Sequence, residues 1–420
     1  MKLQVNRLNI RLKPDVKKVI PRFFNTGDER AGLLIHRVLQ LPDIQASALL
    51  QQVRDEFGNK YHDLVAIFEK HGREVAHLVP IGDEPKISVD KRLLIGAYFT
   101  MEYSLEHAAL FNPSIVVAPD QSNTATNELN VILSFRATGE GHISSLVFKA
   151  AKLDNNARIH FAPTSQYLYE GAVTLHETGY ELQFPPASTL SERIIFPVVP
   201  TEKNGIEDAR FTRFTHDDGT VTYIGTYTAY DGSTIRPHLV ETTDFIRFRM
   251  TQLSGKVAIN KNLALFPRKV NGQYAMIGRI DGFNNYIMYS EDLYHWDTAA
   301  VLQTPQYPWE YVQIGNAGPP IETDKGWLVI THGVGPMRKY CLGASLFDLQ
   351  DPSIELGRLQ EPLLMPEEDE RHGYVPNVVY SCGALVHRDQ LFIPYAVSDY
   401  ATSFATVVLQ ELLNDILRVQ

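Results

Sequence analysis

Cysteine is scarce in this 420-residue chain, which contains only Cys341 and Cys382. Each of the two lies inside an apolar run, and a disulfide framework needs more cysteines than this. The class of small, disulfide-stapled secreted proteins is therefore excluded. The sequence predicts two buried free thiols in a reducing compartment.

Long apolar runs are also missing, since no stretch approaches the roughly 18 residues that a membrane-spanning helix requires. The start of the chain, Met1 to Arg7, carries charge but has no apolar stretch behind it, so no secretory signal is visible. We therefore expect a cytoplasmic protein that does not act at a membrane.

Positive charge is in deficit, with 39 Lys and Arg against 49 Asp and Glu and a net charge of −10. This balance argues against a broad basic surface, and so against nucleic acid or anionic lipid as a partner. Aromatic residues are plentiful, with 20 Tyr and 20 Phe, which suits both β-strands and sugar-binding clefts.

Motifs for metal and nucleotide chemistry are absent as well. The histidines show neither HExxH nor clustered spacing, and Gly139 to Gly141 is too short for a phosphate loop and does not lead into a helix. No G-x-S-x-G nucleophile elbow occurs. The sequence therefore predicts no metal and no cofactor.

The first hundred residues show helical periodicity. Apolar side chains recur at helical spacing from Ala46 to Phe68, with Gly58-Asn59 dividing the pattern, and a second helical stretch runs roughly from Val89 to Leu110. We interpret residues 1–105 as an N-terminal helical lobe rather than a separate functional module. Its apolar stripes would allow a homo-oligomer to form through this lobe.

From Asn112 onward short strands alternate with turn signals, and helical periodicity returns only at Leu409 to Leu417. A weak repeat of about 50 residues, with a hydroxyl or acid, Asp, an apolar residue and an aromatic, is typical of propeller blades. It is visible at Thr243 to Phe248 and at Ser290 to Trp296. The predicted fold is mainly β, a five-bladed β-propeller over residues 106–420, with a pair of β-sandwiches as the alternative.

One stretch, Gly205 to Phe214, combines two acids with an arginine. If the chain from Asp208 onward is extended, Asp208 and Arg210 share one face of the strand and Glu207 points to the other. A carboxylate beside a guanidinium is either a proton-handling group or a structural ion pair.

Five further polar residues interrupt or end apolar strands at similar positions. They are Asn112, Arg136, Arg279, His332 and Asp399. Each one alone fits a turn residue at the end of a blade. In a propeller the inner strands converge, so all five together with Asp208 favour a shared site.

These motifs resemble glycoside hydrolase family 130, the inverting β-mannoside phosphorylases and mannosidases, over about residues 110–405. The resemblance rests on the following segments: Gly205 to Arg210 with Thr226 to Tyr230, Ala264 to Lys269, Tyr289 to Trp296, Gly318 to Ile321, Gly326 to Val334, and Val375 to Tyr380. It also implies a five-bladed propeller, but it says little about the first hundred residues.

The resemblance implies specific roles. Asp208 is expected to be the general acid, protonating the glycosidic oxygen through a hydroxyl of the bound mannose. Asn112, Arg136 and Asp399 match positions that grip the mannosyl unit, and we add Arg210 to the predicted substrate-binding residues. The attacking group must approach the opposite face of the ring, because the reaction inverts the anomeric centre.

The attacking group is either phosphate or water. The family's phosphate-binding cluster maps onto Lys261, Asn262, Arg279 and His332, while Gln313 stands where the family has a further lysine. Glu310 or Glu322 would be the nearby candidates for a water-activating base. We expect phosphorolysis of manno-oligosaccharides to α-mannose 1-phosphate, with inorganic phosphate as co-substrate. The alternatives are a β-mannosidase that uses water and a non-catalytic sugar-binding propeller.

Overall fold

The computed structural model describes residues 3–79 and 87–418, which form two compact units. The larger unit takes the described residues of Met1–Asp15, Glu106–Thr164 and Tyr169–Gln420. The smaller unit takes those of Val16–Leu105 and Ser165–Leu168.

Helices and strands are numbered in chain order. Up to residue 105 they are β1 Asn6–Leu12, β2 Val19–Phe23, α1 Asp28–Gln40, α2 Asp43–Phe57, α3 Leu64–Glu74, α4 Val89–Tyr98 and β3 Thr100–Ser104. Beyond it they are β4 Ala109–Val117, β5 Leu129–Thr138, β6 Ser144–Leu153, β7 Ile159–Phe161, β8 Ala172–His176, β9 Gly179–Gln183, β10 Ile194–Ile195, β11 Gly205–Thr215, β12 Val221–Tyr230, β13 Ile235–Thr242, β14 Arg247–Gln252, β15 Lys261–Leu265, β16 Tyr274–Arg279, β17 Asn285–Ser290, β18 Ala299–Gln303, β19 Gln313–Asn316, β20 Ile321–Thr323, β21 Gly326–Val334, β22 Tyr340–Phe347, β23 Glu355–Arg358, β24 Val379–Tyr380, β25 Leu385–His387, β26 Gln390–Val397, β27 Ala401–Val408 and α5 Leu409–Leu417.

The smaller unit contains the helices predicted between Ala46 and Leu110, and also α1, which was not predicted. A short 3₁₀ turn at Gly58–Lys60 separates α2 from α3, as the interruption in the periodicity indicated. The side chain of Asp63 caps α3 by accepting the N–H of Ala66 at 2.9 Å, which satisfies one of the unpaired donors of the first turn. Ile35, Leu94 and Phe99 are buried in the core that these helices share.

The second predicted helix is too long. It begins at Val89 as expected but ends at Tyr98, and Thr100–Ser104 forms β3, which pairs with β2. Apolar spacing alone favoured continuation to Leu110, but a β-branched and aromatic segment pairs in a sheet when a partner strand is present. Among the described residues, no helix is long and apolar enough to cross a membrane.

The larger unit is mainly β. Its sheets have the strand orders β1-β27-β26-β24, β15-β16-β17-β18 and β19-β21-β22-β23, with β25 beside β26 and β20 beside β21. The remaining strands join in one sheet of order β4-β5-β6-β11-β12-β13-β14-β9-β8, with β7 and β10 on β6. Antiparallel sets of four strands thus recur along the chain, and no sheet closes on itself within the described residues.

The large sheet is continuous because β6 and β11 meet at one point. Gly205 pairs with Ser144 in parallel, and the φ angle of Gly205 is 147°. A Cβ atom at residue 205 would lie 2.9 Å from the Cβ of Ser144, so only glycine allows this approach. The contact brings the start of β11, with its two acids, next to the end of β5.

The first strand of the chain belongs to the larger unit. β1 pairs with β27, with Asn6 opposite Thr406. On the same strand, Arg7 forms ion pairs with Glu367 at 2.7 Å and with buried Glu370 at 3.3 Å. The helical interpretation of the first hundred residues missed β1, β2 and β3, because short strands rich in charged residues lack a clear alternating pattern.

Candidate active site

The backbone at Asp208 is not extended. Its φ angle is 55°, in the left-handed region, and the pairing of β11 with β12 shifts register between Glu207 and Arg210. The prediction that strand alternation places Asp208 with Arg210 and turns Glu207 away is therefore wrong. An irregular residue in a strand re-aims its neighbours, and here it sends both acids to the same partner.

That partner is Arg136, at the end of β5. Its Nη1 donates to Oδ1 of Asp208 at 3.3 Å, and its Nη2 donates to Oε1 of Glu207 at 2.8 Å. Its Nε donates to Oγ of Ser144 at 2.8 Å, and the guanidinium lies 5.0 Å from the ring centre of Phe111. All three nitrogen atoms of the guanidinium donate hydrogen bonds, and these bonds fix the orientation of its plane.

Asn112 approaches Asp208 from β4. Its Nδ2 donates to Oδ1 of Asp208 at 2.6 Å, and its own backbone is left-handed with a φ angle of 47°. The register of β4 against β5 shifts between Phe111 and Ser114, which explains how a strand residue turns inward here. The Oδ1 of Asn112 is buried and has no hydrogen-bond partner among the described residues, so it is an acceptor available to a ligand hydroxyl.

Arg210 binds the backbone of Asp208 and the side chain of Tyr380. Its Nη1 donates to the backbone carbonyl of Asp208 at 2.7 Å, and its Nη2 donates to the hydroxyl of Tyr380 at 2.6 Å. Arg210 is only 2% exposed. Its neighbour is thus the carbonyl of Asp208 rather than the carboxylate, and the contact holds the left-handed backbone in place.

Asp208 and Asp399 differ in their ionisation. Burial alone would raise the pKa of Asp208, but three cations and one amide hold that pKa below its usual value; they are Arg136, Arg210, Lys261 and Asn112. Burial raises the pKa of Asp399 to about 6, with Asp208 adding to the increase and Arg136 opposing it. Arg136 thus acts on both carboxylates. Of the five strand-end residues, Asn112, Arg136 and Asp399 interact with Asp208.

A basic pair lies next to the acids. Lys261 on β15 is directly opposite Arg279 on β16, and its Nζ donates to Oε2 of Glu207 at 2.7 Å. The Nε of Arg279 is buried without a hydrogen-bond partner in the described part of the chain. The guanidinium of Arg279 is therefore the group in this site that an anion would find unoccupied.

His332 is buried beside this pair, and its ring lies 5.0 Å from that of Tyr380. Burial, together with the charge of Arg279, lowers the pKa of His332 to about 3, so the imidazole is neutral at pH 7. Its Nδ1 donates to the carbonyl of Asn316 at 2.9 Å, since that carbonyl only accepts. Nε2 is then an acceptor, and it meets the amide nitrogen of Gln313 at 3.3 Å.

Asn262 completes the cluster. Its Nδ2 donates to the hydroxyl of Tyr380 at 2.6 Å and to the carbonyl of Asn316 at 3.1 Å. Tyr380 thus accepts from both Asn262 and Arg210, and it links the acid side of the site to the basic side. Neither Tyr380 nor Asn316 was predicted from the sequence, although an asparagine closing the short strand β19 was a possible signal.

The two candidates for a water-activating base, Glu310 and Glu322, each pair with an arginine. Glu310 is buried, accepts the backbone N–H of Gln306 at 2.7 Å and pairs with Arg358 at 3.4 Å. Glu322 forms a two-pronged pair with Arg268 at 2.7 and 2.9 Å. The Oε2 of Glu310 is nevertheless buried without a hydrogen-bond partner among the described residues, so Glu310 stays a candidate base, whereas both oxygens of Glu322 are held by Arg268. Within the described residues, no group of three or more His, Cys, Asp or Glu side chains is arranged to hold a metal ion.

The β architecture and this site define a class of protein. A carboxylate held among arginine and amide side chains, next to a guanidinium without a hydrogen-bond partner, is typical of an active site that combines acid–base chemistry with anion binding. A sequence model of glycoside hydrolase family 130, described as beta-1,4-mannooligosaccharide phosphorylase, matches residues 85–418. The chain belongs to this family, as its motifs predicted.

Similar proteins agree with this assignment. A beta-1,2-mannobiose phosphorylase of Listeria innocua is 31% identical over 318 residues, which cover 73% of this chain and 83% of the relative. A 1,2-beta-oligomannan phosphorylase of Thermoanaerobacter is 39% identical over 155 residues, or 36% of this chain, and the match spans about half (52%) of that relative. The solved structure of a Listeria innocua beta-1,2-mannobiose phosphorylase with beta-1,2-mannobiose superposes with a TM-score of 0.55 at 21% identity, covering 76% of this chain and 94% of that one. The last likeness shows a shared fold.

Proposed function

We propose that this protein cleaves the terminal β-mannosidic bond of manno-oligosaccharides by phosphorolysis, with inversion. Phosphate oxygen attacks the anomeric carbon, the bond from that carbon to the glycosidic oxygen breaks, and the products are α-mannose 1-phosphate and a shortened sugar. The observation that carries the proposal is the basic pair Lys261 and Arg279, placed beside the acid group around Asp208. The named activities of the relatives support it.

Asp208 is the proposed general acid, delivering a proton to the leaving oxygen through a hydroxyl of the bound mannose. Asn112, Arg136 and Asp399 hold the mannosyl unit, and Arg210 positions Asp208 through its backbone carbonyl. Asp208 has a lowered pKa in the free protein. A neutral sugar bound over it would exclude water and raise that pKa, so the acid would gain its proton as substrate binds.

Phosphate would bind to Lys261, Asn262, Arg279 and His332. Arg279 offers a planar fork that suits a phosphate dianion. His332 is neutral when the site is empty, and a nearby dianion would favour its protonation. Phosphate is a substrate in this scheme, and no further cofactor is needed.

We propose that the recurring four-strand sets are the blades of a five-bladed propeller over residues 106–420. β1 supplies one strand of the last blade, since it pairs with β27.

Residues 1–105 would otherwise form the helical lobe, through which a homo-oligomer would assemble. Catalysis in the cytoplasm is also part of this proposal, and the two buried free thiols, Cys341 and Cys382, support it.

Hydrolysis is the second candidate, and one observation favours it. Gln313 replaces a family lysine and its amide contacts His332, so the site has one cation fewer than the family pattern. Incubation with β-1,2- and β-1,4-mannobiose, with and without phosphate, separates the two reactions. We expect α-mannose 1-phosphate to form only with phosphate. Free mannose released at the same rate without phosphate would show that the protein is a mannosidase.

Substitution of the acid tests whether the protein is an enzyme at all. We expect Asp208→Asn to lower kcat by about 10²- to 10⁴-fold, the usual contribution of general acid catalysis, because an amide cannot supply the proton. Asp217→Asn is the matched control, since Asp217 pairs with Lys269 on the surface. Unchanged sugar release by the Asp208 variant would contradict the assignment, and no release by either variant or by the natural chain would favour a sugar-binding protein.

A further inference from the structure

Glu207 connects the acid side of the site to the basic side. Its Oε1 accepts from Arg136 at 2.8 Å, and its Oε2 accepts from Lys261 at 2.7 Å. The side chain is only 8% exposed. Each carboxylate oxygen therefore binds a different cation. A movement of the carboxylate toward one cation would break its hydrogen bond to the other.

The two cations have different tasks under the proposed function. Arg136 also holds Asp208, whereas Lys261 faces Arg279 in the neighbouring strand. A carboxylate bound to Lys261 cancels much of the charge that this lysine would offer to phosphate. In the empty site an incoming dianion meets the free guanidinium of Arg279, a neutral imidazole and an ammonium that is already paired.

We propose that Glu207 is a positioning residue that sets the affinity of the site for the attacking phosphate by holding Lys261 as a competing anion. This inference rests on the proposed phosphorolysis. An ammonium has three donors, so Lys261 can turn one of them to phosphate while Glu207, anchored by Arg136, stays close. The nearby negative charge weakens phosphate binding, and it also weakens retention of the sugar phosphate product.

Glu207→Gln tests this directly. The amide keeps an acceptor oxygen for Arg136, but it presents N–H donors to Lys261 and removes the negative charge. We expect the KM for phosphate to fall by at least about tenfold, because one unit charge about 5 Å away from a bound anion corresponds to an upper bound of roughly a few hundredfold at the effective dielectric of ~20 near a protein surface. The KM for mannobiose should change by less than about twofold, because Arg136 keeps its contacts. Asp217→Asn, which removes the carboxylate of another lysine pair, should alter neither KM.

Substitution of Lys261 tests whether Glu207 acts through this lysine. Lys261→Met alone should raise the KM for phosphate. Adding Glu207→Gln to it should lower the KM by less than the same change does in the natural chain, since the part of the effect that releases the Lys261 ammonium is then absent. An unchanged or raised KM for phosphate in a Glu207→Gln protein that unfolds at the normal temperature would overturn the inference. Equal losses for both substrates would show a merely structural role and would overturn it too.

The outcome for the proposed function is separate. If the natural chain releases mannose without phosphate, phosphorolysis fails, and calorimetric titration with inorganic phosphate then tests Glu207 alone. Tighter phosphate binding by Glu207→Gln than by the natural chain would support the inference. Equal or weaker binding would overturn it.

Discussion

At the scale of single residues, the site holds two aspartates in opposite electrostatic states. Three cations depress the pKa of Asp208, whereas burial raises that of Asp399 to about 6. An acid whose pKa is higher in the folded than in the unfolded protein stabilises the fold at low pH. That stability is lost as pH rises from about 4 through about 6.

Asp399→Asn should therefore stabilise the protein at neutral pH. The expected gain is about 1 to 3 kcal/mol in the free energy of unfolding at pH 7.5, because the variant no longer keeps a charge in a poorly solvated position. The gain should shrink toward zero at pH 4. Urea unfolding of both proteins at the two pH values measures it, and the same variant should bind mannobiose more weakly if Asp399 holds the sugar.

Asp281 supplies a control of the opposite sign. Although partial burial opposes it, hydrogen bonds from the backbone of Phe283 and Asn284 lower the pKa of Asp281 to about 2. Its stabilisation is present above about pH 4 and is lost as pH falls through about 2. Asp281→Asn should thus destabilise the protein at neutral pH. A gain in stability for this variant, or a loss for Asp399→Asn, would contradict the assigned ionisation.

The sequence predicted which of these side chains lie together better than it predicted the contacts that they make. Asp208, Asn112 and Arg136 were identified from a motif and from strand ends, and they do meet. The pairing of Glu207 with Lys261 was not foreseen, because alternation along a strand assumes an extended backbone. The left-handed backbone at Asp208 interrupts this alternation, and although aspartate is enriched in that conformation, its presence alone does not predict it.

At the scale of elements, α3 and α4 cross at unusually short range. Gly96 lies where a Cβ atom would come within 1.8 Å of the carbonyl oxygen of Phe68. No side-chain rotation relieves a clash with backbone, so the two helices would have to separate. Glycine in α4 is thus required by packing, although it lowers the intrinsic preference for a helix.

Gly96→Ala should destabilise the protein, by roughly 2 kcal/mol or more, as expected for overpacking at a close contact. Gly32→Ala is the matched control in α1, where an added Cβ would meet nothing within 4 Å. It should be neutral or stabilising by about 0.5 to 1 kcal/mol. Thermal unfolding followed by circular dichroism compares them, and equal effects of the two substitutions would refute the close crossing.

The helices were predicted only in part. Periodic apolar residues located α2, α3 and α5, because a long repeat averages out single exceptions, but α1 was not predicted. The segment after Tyr98 shows the limit, since Met101 and Leu105 continued a helical spacing that the chain does not use. Pairing with β2 decides that segment, and a partner strand about 80 residues away is not contained in local periodicity.

At the scale of the whole molecule, the two free cysteines report on global unfolding. Cys341 is 1% exposed and Cys382 is fully buried, and burial raises the pKa of each thiol, to about 11 and about 12. Native protein should therefore react very slowly with a thiol reagent at pH 8, because the thiolate is both rare and shielded. In denaturant, two thiols per chain should react at once. Rapid native reaction of either cysteine would show that its strand opens locally.

The pairing of β1 with β27 has a consequence for biosynthesis. Asn6 meets Thr406, so a ribosome adding about 5–20 residues per second delivers the partner of β1 roughly 20 to 80 s after β1 itself. During that interval the nascent chain carries a strand whose N–H and C=O groups have no native neighbour, at a stage when other strand edges are also forming. The sheets built from strands between β1 and β27 can therefore be completed before the sheet that contains β1.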